Sequence, residues 1–232
     1  MSAEAGVFDV FVFGGPKSKL KSLASPYAAG RAFVYHDPVK DFYKLSDFEV
    51  VEPFSGLREN LKRICSAALI AELLIKTSGG GGDYPEVLGL ARDALRGLES
   101  LPEERSDYPL ILFLWRLVGI LGLMPDPEAC AHCGADMPLA SARIYSHSDS
   151  GFLCSRCAEP ESQAFRDEMG IFFISAGAAR WLERATSLPF AQALGVSLDA
   201  RSLAGLKGLA FDLARRAAES PLSSLSTAAG IL

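Results

Sequence analysis

The chain has 232 residues, 49% of them hydrophobic and 22% charged, enough apolar material for the core of one large globular domain or two modest ones. Its formal net charge is −5, which excludes a uniformly basic nucleic-acid coat and confines any polyanion contact to a local patch. The charge is uneven: residues 15–45 hold six basic residues (Lys17, Lys19, Lys21, Arg31, Lys40, Lys44) against two acidic ones (Asp37, Asp41), so this stretch is +4 and the remainder −9.

The first residues, MSAEAG, carry neither a basic region nor an apolar run of the secretory kind. The most apolar stretch, residues 108–123, is short for a bilayer span of roughly 20 residues and holds Arg116. A cytoplasmic protein without a membrane partner is therefore expected, with reduced thiols that favour metal over disulfide.

The first 55 residues look β-rich. Residues 7–13 (VFDVFVF) are dense in β-branched and aromatic side chains and end at Gly14-Gly15-Pro16. Residues 32–35, 42–45 and 48–51 are further short strand candidates, the first two separated by His36-Asp37-Pro38. This spacing suggests a small barrel or meander, with fewer strands than a closed five-stranded barrel requires.

From Leu57 the period becomes helical. Leu57, Leu61, Ile64, Ala68, Ala71 and Ile75 form one apolar stripe, with Ser55 as N-cap and Ser66 off the stripe. The glycine run 79–82 follows a helix and lacks a P-loop's GK[ST], so it reads as an inter-helix loop. Asp83 and Pro85 open a second helix to about Leu101. Asp107 and Pro109 open a third, through Leu123, which is apolar nearly all round and hence central. Its Arg116 needs a carboxylate or carbonyl partner if buried. Further on, Ser175 caps a helix to about Ser187, and a longer one runs from Asp199 to about Glu219 with Leu203, Leu206, Ala210, Leu213 and Ala217 on its core face. The last dozen residues look like a frayed tail.

The strongest motif is CAHC, twenty residues, then CSRC: Cys130, Cys133, Cys154 and Cys157. A two-residue gap lets both thiolates of a knuckle reach one ion at ~2.3 Å, and two knuckles complete a tetrahedron. Four thiolates leave no open position, so one structural Zn2+ is expected, in a ribbon at 128–158. Residues 144–146 and 152–153 flank His147-Ser148-Asp149-Ser150-Gly151 as a hairpin that brings the knuckles together, and Gly134 suits the tight turn. A thioredoxin-like pair, an iron–sulfur cluster and unliganded core cysteines are the competing readings; the doubled pair and its spacing favour zinc. His132 and His147 read as bystanders, and Cys65 as a core residue.

Lys17, Lys19 and Lys21 alternate just after a strand and would line one side of an extended loop, where ammonium groups suit phosphates. Tyr27, Phe33, Tyr35, Phe42 and Tyr43 lie close in sequence as candidate stacking residues, although strand aromatics more often form core. A solvated surface is the plainer explanation of the basic run until clustering in space is shown. No GxSxG, HExxH, Walker A or GxGxxG motif is present, and an enzyme is not expected.

A strand, a glycine-basic loop (GGPKSKLKS), short strands, the helix entry DFEVVEPFSGLRENL, a helical region and CAHC…GFLCSRC follow one another in an order that resembles the bacterial recombination mediator family RecO, from about Gly6 to Leu213. The resemblance implies an α+β chain: an N-terminal OB-fold-like small β-barrel at 1–55, then an α-helical domain at 56–232 bearing the inserted four-cysteine zinc ribbon. It implies a non-enzymatic role in DNA repair and recombination, binding single- and double-stranded DNA, annealing complementary strands and assisting recombinase loading. The partners it implies are RecR and the C-terminal tail of the single-stranded-DNA-binding protein. The DNA contacts carried over are Lys17, Lys19, Lys21, Arg31 and Lys44. Family members carry about one more hairpin before the strand matching residues 7–13, so an incomplete barrel or a misassigned start is expected. The alternative is a protein-interaction scaffold with a structural zinc ribbon and little DNA binding.

Overall fold

The computed structural model describes residues 1–15, 17–138, 141–158 and 170–232. Pro16 of the glycine-basic motif and residues 139–140 of the ribbon lie outside the described residues. The fold is mixed α+β, with two small sheets beside a larger helical part.

The helical part is organised around α4 (Asp107–Ile120), which buries Tyr108 through Trp115 together with Leu117 and Val118. A helix apolar on every side has to be enclosed. The helices packed on it are α2 (Leu61–Lys76), α3 (Tyr84–Ser100), α5 (Ala176–Ser187) and α7 (Ala200–Ala218). The short α6 (Phe190–Ala193) bridges α3 and α5. Helices begin where the sequence places them at Asp83, Ser175 and Asp199, and each of these residues is the N-cap, its side chain accepting the N–H group of Glu86, Ala178 or Ser202 respectively. Arg116 meets its expected carbonyl partners: its guanidinium donates to Ala185 at 2.8 Å and to Leu188.

The phase of α2 differs from the sequence expectation. Its buried residues are Ser66, Ala67, Leu69, Ile70 and Leu73, whereas Leu61 and Ile75 are 62% and 65% exposed. The segment is apolar on most of its circumference, so its periodicity allows more than one stripe and packing selects among them. Ser66 tolerates burial because its hydroxyl donates to the Lys62 carbonyl at 2.9 Å. Ser55 instead starts a 3-10 turn (Ser55–Glu59), and Asn60 caps α2 by accepting from the Arg63 N–H.

The β part is a hairpin of two long strands, β1 (Ala29–Asp37) and β2 (Phe42–Glu52), rather than three short ones. Ser46 and Asp47, which look like a break in sequence, are absorbed as a bulge: Phe33 faces Asp47 and Val34 faces Leu45, leaving Ser46 unpaired. Residues 7–13 are not a full strand. Only Phe11 bridges to β2, donating to Tyr43 at 2.8 Å and accepting from Leu45 at 2.9 Å. Among the described residues these strands do not close into a barrel. The hairpin base is held by charge: Glu52 accepts from Arg92 at 2.5 Å and from Arg96, both on α3. Burial would raise the Glu52 carboxyl, but these guanidiniums hold it below the usual range. Phe54 and Leu57, buried just beyond, pin the connection to the helical core.

The C-terminal residues are docked, not frayed. The short α8 (Ser223–Thr227) is flanked by buried Leu222 and Ala228. Glu72 of α2 receives the N–H groups of Ser223 and Ser224 at 2.9 and 2.8 Å and the Ser224 hydroxyl at 2.6 Å. A carboxylate from another helix thus does the work of an N-cap. Burial pushes Glu72 up, yet these donors outweigh it and leave its pKa lowered. Its stabilising effect is therefore complete above the ordinary value of about 4.5 and is lost as pH falls through the lower folded value. Glu72→Gln is expected to cost about 1–2 kcal/mol at neutral pH and to flatten the acid limb of a pH–Tm profile, read by calorimetry.

Candidate functional site

The cysteines lie between α4 and α5, on a ribbon whose turns are set by local hydrogen bonds. In the first knuckle the Gly134 N–H donates to Cys130 at 2.8 Å and the Cys130 N–H to Ala135 at 2.9 Å. Gly134 has φ +70°, a left-handed turn that glycine adopts without strain. In the second knuckle the N–H groups of Cys157 and Ala158 donate to Cys154 at 3.1 and 2.9 Å. The expected hairpin forms as β3 (Arg143–Ser146) and β4 (Gly151–Leu153), pairing Ile144 with Leu153 and Ser146 with Gly151. It brings the knuckles together: Ala131 donates to Phe152 at 2.8 Å, and the Cys154 N–H to the Cys130 sulfur at 3.3 Å.

The four sulfurs lie within 4.8 Å of one another, with Cys133 and Cys154 3.8 Å apart. A tetrahedron with ~2.3 Å metal–sulfur bonds has edges of roughly 3.8 Å, so the donor set and its spacing fit a closed four-thiolate metal site. Cys130 is buried and Cys133 exposed. Burial alone would raise Cys130, but backbone N–H groups of Cys154, Cys133 and His132 bring it down to about 6. Cys157, hydrogen-bonded to Cys133 and its neighbours as a thiol, is pushed up to about 12. Arg156 places its guanidinium 3.9 Å from the Cys133 sulfur, where it offsets thiolate charge. The two histidines stay outside the cluster: His132 faces Asp149 at 3.3 Å and His147 faces Asp212 at 2.8 Å.

A third strand, β5 (Ile171–Ile174), completes the sheet beside β3 and was missed at the sequence level. The run Ile-Phe-Phe-Ile after a glycine is itself a strand signal. β5 lies hard against α7, since a Cβ on Gly205 would sit 2.4 Å from the Phe173 carbonyl oxygen and one on Gly208 2.7 Å from the Phe172 ring. The hairpin is tied to the same helix. Buried Asp212 of α7 accepts from His147, and Arg216 lies 3.4 Å from that carboxylate while donating to the His147 carbonyl and, at 2.6 Å, to Ser150. Buried Tyr145 rises to about 12, from desolvation and the Asp212 charge.

The basic candidates are spread over a turn, a short helix and the hairpin. Lys17 sits in an exposed turn, and Lys19 and Lys21 belong to a short helix, α1 (Lys19–Leu23), not to an extended loop. Two residues apart on a helix, these lysines point to different sides instead of lining one. Lysine and leucine are good helix formers, and that local preference overrides the alternating pattern. Arg31 and Lys44 share one face of the hairpin with Phe33, Tyr35 and Phe42. Phe11 and Phe13, 55% and 54% exposed, meet Phe42 edge-on there, and the Lys44 ammonium lies 5.5 Å over the Phe13 ring. Tyr27 instead packs against the helical core.

The family model described as recombination protein O C terminal matches residues 58–225. The chain belongs to the RecO family. It is 26% identical over 166 residues to the DNA repair protein RecO of Desulforudis audaxviator, covering 71% of this chain and 64% of that one. It is 26% identical over 165 residues to RecO of Bacillus subtilis, covering 69% and 61%, and 29% identical over 180 residues to RecO of Rubrobacter xylanophilus, covering 76% and 67%. The chain thus spans about 60% of the length of the relatives it matches first. The matched region holds all four cysteines, α2–α7 and the β3–β5 sheet, whereas β1 and β2 precede it.

Binding of a divalent metal to the reduced protein is expected to release protons, the Cys157 thiol among them at neutral pH, measurable in weakly buffered solution with a pH dye. Cys157→Ser should lower metal affinity at least tenfold in a chelator competition. Asp212→Ala should leave metal stoichiometry unchanged while costing about 1–3 kcal/mol and exposing β3 and β4 to hydrogen exchange.

Proposed function

We propose that this RecO-family chain is a DNA-binding recombination mediator. It would bind single- and double-stranded DNA, anneal complementary strands and assist recombinase loading, with RecR and the C-terminal tail of the single-stranded-DNA-binding protein as partners. The observation that carries the reading is the exposed aromatic face of the hairpin, with Phe11, Phe13 and Tyr35 uncovered beside Lys44 in an otherwise acidic chain. Aromatic rings flanked by cations suit stacking of unpaired bases along a phosphate backbone. On this reading Lys17, Lys19 and Lys21 reach backbone phosphates from different sides of α1, and Arg31 adds a contact on β1. On this reading residues 1–55 form the nucleic-acid part and residues 56–232 the helical part.

The metal of the ribbon, on the same reading, is zinc. Four thiolates in a closed tetrahedral set suit it, and it would bind as a structural ion that leaves no position for substrate. Nothing in the reading requires the protein to catalyse a reaction.

A second reading, a protein-interaction scaffold, is favoured by a cleft of about 560 Å3 between α3 and α4. There Leu90, Ile120 and Met124 form apolar walls beside Glu86 and Asp93. The two readings separate in a salt titration of single-stranded DNA binding. The mediator reading expects log K to fall by about 0.7 per phosphate contact for each tenfold rise in salt. Replacing Lys17, Lys19 and Lys21 by Glu together should weaken binding and reduce that slope by about 2. Binding that ignores both salt and the triple substitution leaves the scaffold.

A further inference from the structure

The four cysteines differ in how far solvent reaches them. Cys130 is buried and its sulfur accepts the Cys154 N–H at 3.3 Å, whereas Cys133 is exposed. The Arg156 guanidinium lies 3.9 Å from the Cys133 sulfur, and the sulfur of Cys154, from the other knuckle, lies 3.8 Å from it. An exposed sulfur beside a cation, with a second cysteine next to it, is the setting in which oxidants act on one thiolate and a disulfide follows.

Bonds that do not involve sulfur also hold the ribbon together. The Met137 N–H donates to the Glu128 carbonyl at 2.7 Å and closes the first knuckle. Buried Arg143 clamps the two ends of that loop, donating to the Pro127 carbonyl and, at 2.9 Å, to that of Pro138. The Ala131 N–H joins the first knuckle to Phe152 of β4 at 2.8 Å, and the β5 side of the sheet is packed on α7. These contacts keep the four sulfurs near one another whether or not an ion holds them.

We propose that Cys133 is an oxidation site for hydrogen peroxide, and that the product is a Cys133–Cys154 disulfide formed in place of the bound metal. The Cys133 thiolate attacks one peroxide oxygen: an S–O bond forms, the O–O bond breaks, and the departing hydroxide takes a proton from solvent and leaves as water. Cys133 is then a sulfenic acid. The Cys154 thiolate attacks its sulfur, the S–S bond forms, the S–O bond breaks, and a second hydroxide is protonated to water. Two thiolates have lost two electrons, and one peroxide has been reduced to two waters. Cys130 and Cys157 remain as donors, too few for a closed four-thiolate site, so the metal is released. The disulfide links the same two knuckles that the metal linked, so the fold is kept and a thiol reductant reverses the exchange. The inference rests on the reading that the ribbon holds a metal, and it does not depend on whether the chain binds DNA.

The test uses the reduced full chain loaded with Zn2+, its metal counted before any oxidant is added. A chain that takes up no zinc overturns the metal reading and the exchange with it; a loaded chain that keeps its zinc under peroxide overturns the exchange alone. Hydrogen peroxide is then added in slight excess beside a chromophoric chelator. The expected result is one zinc released for each disulfide formed, a mass about 2 Da below that of the reduced chain and a Cys133–Cys154 link in the peptide map. Far-UV circular dichroism is expected to stay unchanged, and dithiothreitol to restore zinc uptake. Cys154→Ser removes the attacking thiolate of the second step, so dimedone, which captures sulfenic acids, is expected to label Cys133 in that variant. Labelling of Cys130 or Cys157 in its place overturns the proposal. So does a disulfide within one knuckle or to Cys65, loss of helical signal on oxidation, or zinc uptake that reductant does not restore.

Discussion

Enclosing α4 is the constraint from which the rest of the helical part follows. A helix buried on all sides forces neighbouring elements to end against one another, and each helix end leaves carbonyls without partners. Arginines supply the donors. Arg63 donates to Leu101 at the end of α3, Arg116 to Leu188 at the end of α5, and Arg105 to Leu194 at the end of α6. A guanidinium reaches carbonyls with several donors in a fixed plane and complements the negative end of a helix dipole. The two charged residues of α4 both serve assembly: Arg116 as above, and Asp107 by pairing with Lys62 of α2 at 2.8 Å and Lys207 of α7 at 3.2 Å.

The ribbon is attached to this frame through α7. One stretch of that helix covers α4, while Gly205 and Gly208 admit β5 and Asp212 and Arg216 hold the β3–β4 turn. The cysteine cluster therefore sits at the β4 end of a small sheet whose β5 side is already fixed by packing and hydrogen bonds. A metal there would fix the two knuckles relative to each other, and it would add little to the enclosure of α4, which depends on apolar contacts elsewhere. A buried carboxylate such as Asp212 is costly unless paired, so the His147 and Arg216 contacts serve its desolvation as much as they fasten the sheet.

What could be read from the sequence follows the range of the interaction responsible. The cysteine spacing, the helix starts at Asp83, Ser175 and Asp199, and the all-round apolar character of α4 are local patterns, and each appears in the structure where its pattern lies. The phase of α2 is not local, because a segment apolar on most sides is oriented by what it packs against. Nor is the docking of the tail: Glu72 and Ser223 are 151 positions apart, and no periodicity links a helix-surface carboxylate to a distant serine. The lysines of α1 failed for a different reason. Alternation suggested an extended segment, while the same residues favour a helical turn, and in a short piece backbone preference outweighs pattern.

The hairpin shows where local and tertiary demands meet. A two-stranded ribbon is marginal in water by itself and needs a surface to lie on. Its base has one, through Glu52 between two arginines and through buried Phe54 and Leu57. Its outer part is met by Phe11 and the rings around it, with α1 packed on β2 as well. Both bulges lie in β2, the strand joined to the helical core, and a bulge bends and twists the strand that carries it. The irregularity is thus confined to the strand that must follow the core, and β1 carries no extra residue.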